Sequence, residues 1–356
     1  MFDAFKKIDW KLQGAVGMLM AIGLVSLLSS HRDLFWKQLI WIGIGTLFFS
    51  FLVVIDLRSF FSHRGGLNVL YVGLLGLLMV TRFIAPNING NRSWILIGPF
   101  QFEPSEIAKL LLVLMLAFFF SKQHIGIARW KTVLTSFMYV AIPGVLIALL
   151  PDMGSALILF GIWFGFILVS GIPMRKLAIT IGVFIIALFF MWTSVLKPYQ
   201  KDRIIGLFQP QQDPLGISYN VIQAKIAIGS GGFFGEGFGQ GTQVQLGFLP
   251  EAQTDFIFSA IAQEGGIFAV IILLGGFLWM ILRLLKMGYL LDTNFGKLVC
   301  LGTAIFFVTQ FIFNVGSNLG LFPVVGVTFP FVSYGGSSMI INLILVGIVQ
   351  SLYAKR

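Results

Sequence analysis

Phe248-Leu-Pro-Glu-Ala-Gln-Thr-Asp-Phe256 leads directly into an apolar run that continues to Leu282, and how these two pieces are read decides the fold. The run exceeds the roughly 20 helical residues that cross about 30 Å of hydrocarbon, so it predicts a transmembrane helix over residues 254 to 283. In that reading Glu251 and Asp255 stand at the membrane edge, with Asp255 in the first turn. The helix dipole stabilises a carboxylate there and nearby hydrocarbon destabilises it, so its pKa can be placed where a base is useful. The position also suits a plain cap, in which Thr254 or Asp255 bonds the first free N–H groups. From this stretch alone both readings stand.

Nine further apolar runs surround it, at about 12 to 29, 38 to 55, 66 to 81, 106 to 121, 133 to 150, 154 to 171, 177 to 195, 297 to 316 and 336 to 353. Composition agrees: 57% of the 356 residues are hydrophobic and 11% charged, where a soluble domain carries roughly 25% charged residues. The expectation is an all-α polytopic membrane protein of about ten transmembrane helices in one integral membrane domain, 1 to 356. The first run has no small-residue cleavage site after it and reads as a retained helix. Cys300 is the only cysteine, and His31, His63 and His124 lie far apart, which excludes a disulfide, a cysteine metal site and a histidine triad.

The net charge of +10 is not a nucleic-acid footprint, because most Lys and Arg fall in alternate loops, as the positive-inside rule requires. Both termini are then cytoplasmic. All acidic residues except Asp3, Asp9, Asp56 and Asp292 fall at the outer face or in the membrane, a bias that topology does not explain. Two outer loops are long. The first, Thr81 to Ser105, ends in Pro104-Ser-Glu106, a helix start that puts Glu106 and Lys109 three apart on one face. They form either an ion pair that makes buried charge tolerable or a functional pair. Asp152 sits in the tight turn Leu150-Pro-Asp-Met-Gly-Ser155 at the same predicted depth, where capping the turn is the simpler account.

The second long loop, 196 to 253, is the large extracytoplasmic segment. It carries Lys201, Asp202 and Arg203, then Ser218 to Ile228, which reads as an interfacial amphipathic helix with Lys225. Gly229-Ser-Gly-Gly-Phe-Phe-Gly-Glu-Gly-Phe-Gly-Gln-Gly241 follows; it lacks the spacing of a nucleotide loop and suits close packing on membrane helices. Gln310, Asn314 and Asn318 line one helix face. Gly320 to Ser338 is Gly- and Pro-rich and reads as a re-entrant outer loop, covered by protein or lining a wet cavity.

Together, Arg92-Ser-Trp94, Gly98-Pro99, Glu103-Pro-Ser-Glu-Ile-Ala-Lys109, Pro151-Asp-Met-Gly154, Gly229-Ser-Gly-Gly232, Phe248-Leu-Pro-Glu251, Thr254-Asp-Phe256 and Pro330-Phe-Val-Ser-Tyr-Gly-Gly336 resemble the SEDS family of shape, elongation, division and sporulation proteins. The likeness runs from the first helix to the last and is strongest to the RodA branch. Glu103 departs from it, standing where the family more often has Gln. The resemblance implies a multi-pass protein of the bacterial cytoplasmic membrane that polymerises lipid II into peptidoglycan strands for cell elongation, beside a class B penicillin-binding protein that crosslinks them.

Such a reaction needs a base for the acceptor hydroxyl and positive charge for the departing prenyl diphosphate. Asp255 is the expected base, with Glu106, Lys109 and Asp152 as further catalytic residues. Arg92, Trp94, Arg203, Lys225, Glu251, Thr254 and Ser333 are expected at the substrate. A divalent cation, Mg2+ or Mn2+, would have to bridge separate helices, through Glu106 and Asp152. Small residues Gly275, Gly276, Gly302 and Ala304 offer a packing surface for the transpeptidase helix. The alternative is a lipid II flippase, for which Glu264, well inside the 254 to 283 run, is the most favourable feature.

Overall fold

The computed structural model describes residues 6–56, 64–86, 92–98, 100–123, 129–195, 201–202, 205–207 and 218–355. Among these are α1 (Trp10–Ser30), α2 (Arg32–Val54), α3 (Arg64–Ile84), the strands β1 (Ile95–Ile97) and β2 (Phe100–Phe102), and α4 (Pro104–Ser121). Then come α5 (Trp130–Ala148), α6 (Met153–Val169), α7 (Met174–Phe190), α8 (Tyr219–Ser230) and α9 (Thr242–Gln245). The chain closes with α10 (Ile257–Leu290), α11 (Asn294–Asn318) and α12 (Gly336–Ala354). Eight of these helices are long and apolar enough to cross a membrane, and α6 and α7 have 17 residues each. All ten expected runs fall on helices, so the chain is a nearly all-helical, multi-pass membrane protein. The antiparallel pair β1–β2, with Ile95 opposite Phe102, is a small hairpin inside the first long loop.

Helix α4 is the axis of the bundle. Beyond Lys109 it is apolar on every side, which suits a helix with no face to water or lipid, and α3, α5, α6, α11 and α12 pack around it. Close approach depends on small residues: a Cβ on Gly161 would lie 2.4 Å from the Thr309 side chain, and one on Gly302 2.5 Å from the Phe166 ring. The outer helices instead expose apolar side chains such as Leu47, Val69, Phe83 and Ile186, which suit hydrocarbon. The proposed transpeptidase surface is corrected on the same grounds. Gly302 and Ala304 are buried within the bundle and Gly276 faces Met18 of α1, leaving only Gly275 open.

Helix α10 is 34 residues long, about 51 Å at 1.5 Å per residue, and it does not run unbroken. Gly266, at φ 64 and ψ −166, interrupts it. The backbone groups released there are taken up by the Gly-rich loop: Glu236 and Gly237 donate N–H bonds to the carbonyls of Gln263 and Glu264, and Ile267 and Phe268 donate to those of Gly232 and Phe233. This is why Gly235 has no side chain. Its φ is +82, and a Cβ would stand 2.1 Å from the Glu264 carbonyl oxygen. The loop is therefore a backbone splint for a broken membrane helix, and it makes the chain's polar interruption tolerable in a low-dielectric setting.

Candidate active site

Asp255 lies before α10 rather than in its first turn. Residues 251 to 256 form successive turns, the helix begins at Ile257, and its N-cap is Phe256, which makes no side-chain cap bond. The expectation that Asp255 sits inside the helix is thus corrected, because the Glu251 backbone at φ 52 reverses the chain before the helix starts. The turn is held from three directions. Asn314 and Asn318 of α11 donate side-chain N–H bonds to the Asp255 carbonyl at 3.0 and 2.8 Å, and Ser333 donates its hydroxyl to the Thr254 carbonyl at 2.6 Å. Tyr334 N–H bonds the Gln253 carbonyl at 2.9 Å. Thr254 also donates its hydroxyl to the Glu251 carboxylate at 3.0 Å.

Ser333, expected at the substrate, is buried and accepts the Phe329 N–H at 2.8 Å as well. It braces the re-entrant loop against the Asp255 turn. Gln38 of α2 braces the same loop from behind, donating to the Ser333 carbonyl and accepting from the Gly335 N–H, both at 3.3 Å. The polar face of α11 proves to be an anchor for this turn: Asn314 also donates to the Val327 carbonyl at 2.8 Å. Sequence periodicity marked these asparagines but not their target.

A second cluster forms where α4 and α6 begin. Lys109 and Glu106 pair at 2.8 Å, both buried. Asp152 is the N-cap of α6, with Oδ1 accepting from Ser155 N–H at 3.0 Å, while Asp152 Oδ2 and Glu106 Oε2 are buried without hydrogen-bond partners. Ser105 and Ser155 join hydroxyls at 3.1 Å, and both bond Glu103 Oε1. Trp94 donates its indole N–H to Glu103 Oε2 at 3.2 Å, and Ser337 accepts the Glu103 N–H at 3.1 Å. Glu103, Ser105, Ser155 and Ser337 were not among the expected site residues. Their only sequence signal was a place in or beside the Pro-Ser-Glu, Pro-Asp-Met-Gly and, for Ser337, Ser-Tyr-Gly-Gly stretches.

Lys109 thus lies in the field of three carboxylates, Glu106, Glu103 and Asp152. Burial first, then the charges of Asp152 and Glu106, push the Glu103 carboxyl up to about 7, against the pull of Lys109 and the Ser105 bond. Because the folded value is raised, this group's contribution is complete below the ordinary carboxylate range and is lost as pH rises through about 7. Wild-type thermal stability in detergent should therefore fall between pH 5 and 8 by a part, on the order of 1 to 2 kcal/mol, that Glu103→Gln removes. Equal pH slopes for the two proteins would refute this placement of the proton.

No group of three or more His, Cys, Asp or Glu among the described residues is arranged to hold a metal ion. Against Glu106, the place of a cation is taken by the Lys109 ammonium. The expected Glu106–Asp152 metal bridge does not fit this donor set, and no step is derived through one.

The two clusters meet across three residues of backbone. A Cβ on Gly154, two residues beyond Asp152, would stand 2.1 Å from the Val325 carbonyl oxygen, and one on Gly326 would stand 3.9 Å from Asp255 Oδ2. Val325-Gly-Val327 is therefore a thin wall with the Asp152 turn on one side and Asp255 on the other. Two exposed cations belong to neighbouring segments. Arg92 is exposed and donates its backbone N–H to Leu150, beside the Asp152 turn, and exposed Lys225 of α8 lies over Gly320, where the re-entrant loop begins. Helix α8 is not a detached surface helix: Ala224 and Ala227 are buried against Leu249, Ala252 and Phe256, so it supports the turn. Arg203 lies outside the described residues.

With this geometry in hand, the whole chain proves similar to known proteins. The family model described as "Cell cycle protein", covering FtsW, RodA and SpoVE, matches residues 6–356. The chain belongs to the FtsW/RodA/SpoVE family. Among its SEDS relatives, the probable peptidoglycan glycosyltransferase FtsW of Thiomicrospira cyclica is 35% identical, over 96% of this chain and 90% of that one. The peptidoglycan glycosyltransferase MrdB of Escherichia coli K12 is also 35% identical, over 83% and 79%. Among solved structures, a chain of a peptidoglycan synthase complex that couples polymerisation and crosslinking superposes with a TM-score of 0.83 at 34% identity, covering 98% of each chain. The rod shape determining protein RodA of Thermus thermophilus gives 0.74 at 30%, over 98% and 97%. FtsW and MrdB relatives match at equal identity, so the SEDS fold is shared while the branch is not distinguished by these likenesses.

Proposed function

We propose that this SEDS protein is a peptidoglycan glycosyltransferase that polymerises lipid II for cell elongation. The observation that carries the reading is the pairing, at one end of the bundle, of Asp255, on a turn braced through its backbone, with a buried ion cluster behind a three-residue wall. Asp255 takes the proton of the acceptor sugar hydroxyl. The new C–O bond forms as the bond from the donor anomeric carbon to the diphosphate oxygen breaks, and the prenyl diphosphate leaves with both bonding electrons. We assign the exposed cations Arg92 and Lys225 to that charge. Buried Lys109 acts on Glu106 and Asp152 rather than on solvent-borne phosphate.

Purified protein given lipid II should yield glycan polymer on a gel. Lipid II translocation in liposomes without polymer would support the flippase reading instead. Glu264 no longer favours that reading, since Ser29 of α1 and Gln245 of α9 both donate to its carboxylate. The crosslinking partner is a class B penicillin-binding protein, in line with the synthase-complex relative.

The face carrying Asp255 is the outer one, with both termini cytoplasmic and 196 to 253 an outer segment of the single domain. Cysteine placed at Lys201 should react with an impermeant thiol reagent on intact spheroplasts. Cys300 is buried and gives little background, and a Cys300→Ala chain removes it. Labelling that appears only after lysis would invert the topology.

A further inference from the structure

At the opposite end of the bundle, where α1 begins and α10 and α12 end, lies a cavity of about 570 Å³. Lys7, Ile8, Asp9, Trp10, Lys11, Arg283, Tyr353 and Ala354 form it, so three positive side chains face one negative. Asp9 is spent within the wall. Its Oδ1 accepts the Leu12 N–H at 2.8 Å, its Oδ2 accepts from Arg283 Nη2, and its backbone exchanges bonds with Gln350 at 2.9 and 3.1 Å. Lys7 and Lys11 are exposed and have no carboxylate partner among the described residues, and Arg283 Nε is buried with no hydrogen-bond partner. Among the described residues the cavity lining therefore carries more positive than negative charge, and an unmet donor.

We infer that this cavity binds the phosphate headgroup of an anionic phospholipid from the adjoining leaflet. Its volume falls within the range of about 300 to 1,000 Å³ typical of small-ligand sites, and a headgroup phosphate supplies an acceptor for Lys7, Lys11 and the donor that Arg283 does not spend on Asp9. The surroundings identify the source as lipid. Trp10 is 64% exposed beside the cavity, and Trp279, one helical turn before Arg283 on α10, is 47% exposed. Such aromatics sit at the headgroup level, and exposed Leu282 and Leu278 continue the apolar strip along which acyl chains lie. Basic side chains near a charged leaflet attract anionic lipid. The site is separate from Asp255 and independent of the proposed polymerase reading.

Native mass spectrometry of the full-length protein, released from nanodiscs containing equal phosphatidylglycerol and phosphatidylethanolamine, tests this. The wild type should retain phosphatidylglycerol adducts in preference, and the Lys7→Gln, Lys11→Gln double variant should retain at least about tenfold fewer. A control pair on the same face but away from the cavity, Lys131→Gln with Lys297→Gln, should behave as wild type. Equal loss in the control pair would reduce the effect to general surface charge and overturn the site. Displacement of the adducts by millimolar glycerol phosphate would show a soluble phosphate ligand instead, and unchanged adducts in the Lys7, Lys11 variant would remove the proposal. A thermal shift on adding phosphatidylglycerol, absent in that variant, reports the same binding if the variant is less stable.

Discussion

Asp255→Asn is expected to express, insert and bind lipid II, and to lose polymerisation by about 10² to 10⁴-fold, the usual contribution of a positioned general base. The backbone of the turn is held through its carbonyl oxygens by Asn314, Asn318 and Ser333, none of which depends on the charge of the Asp255 side chain. The helix that follows is capped at Phe256. Loss of activity with an unchanged melting temperature therefore isolates the proton-accepting role, and near-normal polymer from the Asn variant would exclude it. Ser333→Ala is the useful contrast, since it releases the Thr254 carbonyl and should lower stability and activity together.

The second large effect concerns Lys109. Its ammonium is the one positive charge in the described field of Glu103, Glu106 and Asp152, and two carboxylate oxygens there already lack hydrogen-bond partners. Lys109→Met should cost on the order of 3 to 5 kcal/mol, because the buried negative charge is then uncompensated. Glu106→Gln together with Lys109→Met should recover much of that stability, as neither half of the pair remains charged. Polymerisation should stay lost in the double variant, since the field that orients the Asp152 turn against the Val325–Val327 wall is gone. Melting curves in detergent and a lipid II assay on the same preparations separate the two effects, and restored activity in the double variant would reduce the pair to a stabilising device.

Much of this molecule was legible in the chain itself. Hydropathy is a local property, so ten apolar runs announced ten helices, and the clustering of Glu106, Asp152 and Asp255 at one end followed from counting crossings between them. The pairing of Glu106 with Lys109 is an intrahelical spacing and was equally visible. What only the tertiary structure decided are contacts between segments remote in sequence. That Asp255 stands outside its helix depends on Glu251 at positive φ and on amides from α11, and that the Gly-rich loop exists to splint α10 depends on the break at Gly266. Glycine in a sequence states that the backbone is free. Only the atom 2.1 Å from an absent Cβ states what that freedom is for. Glu103 likewise looked like a residue before a helix, and its proton-holding setting arises because burial brings Asp152 and Ser155 of one stretch and Trp94 of another around it.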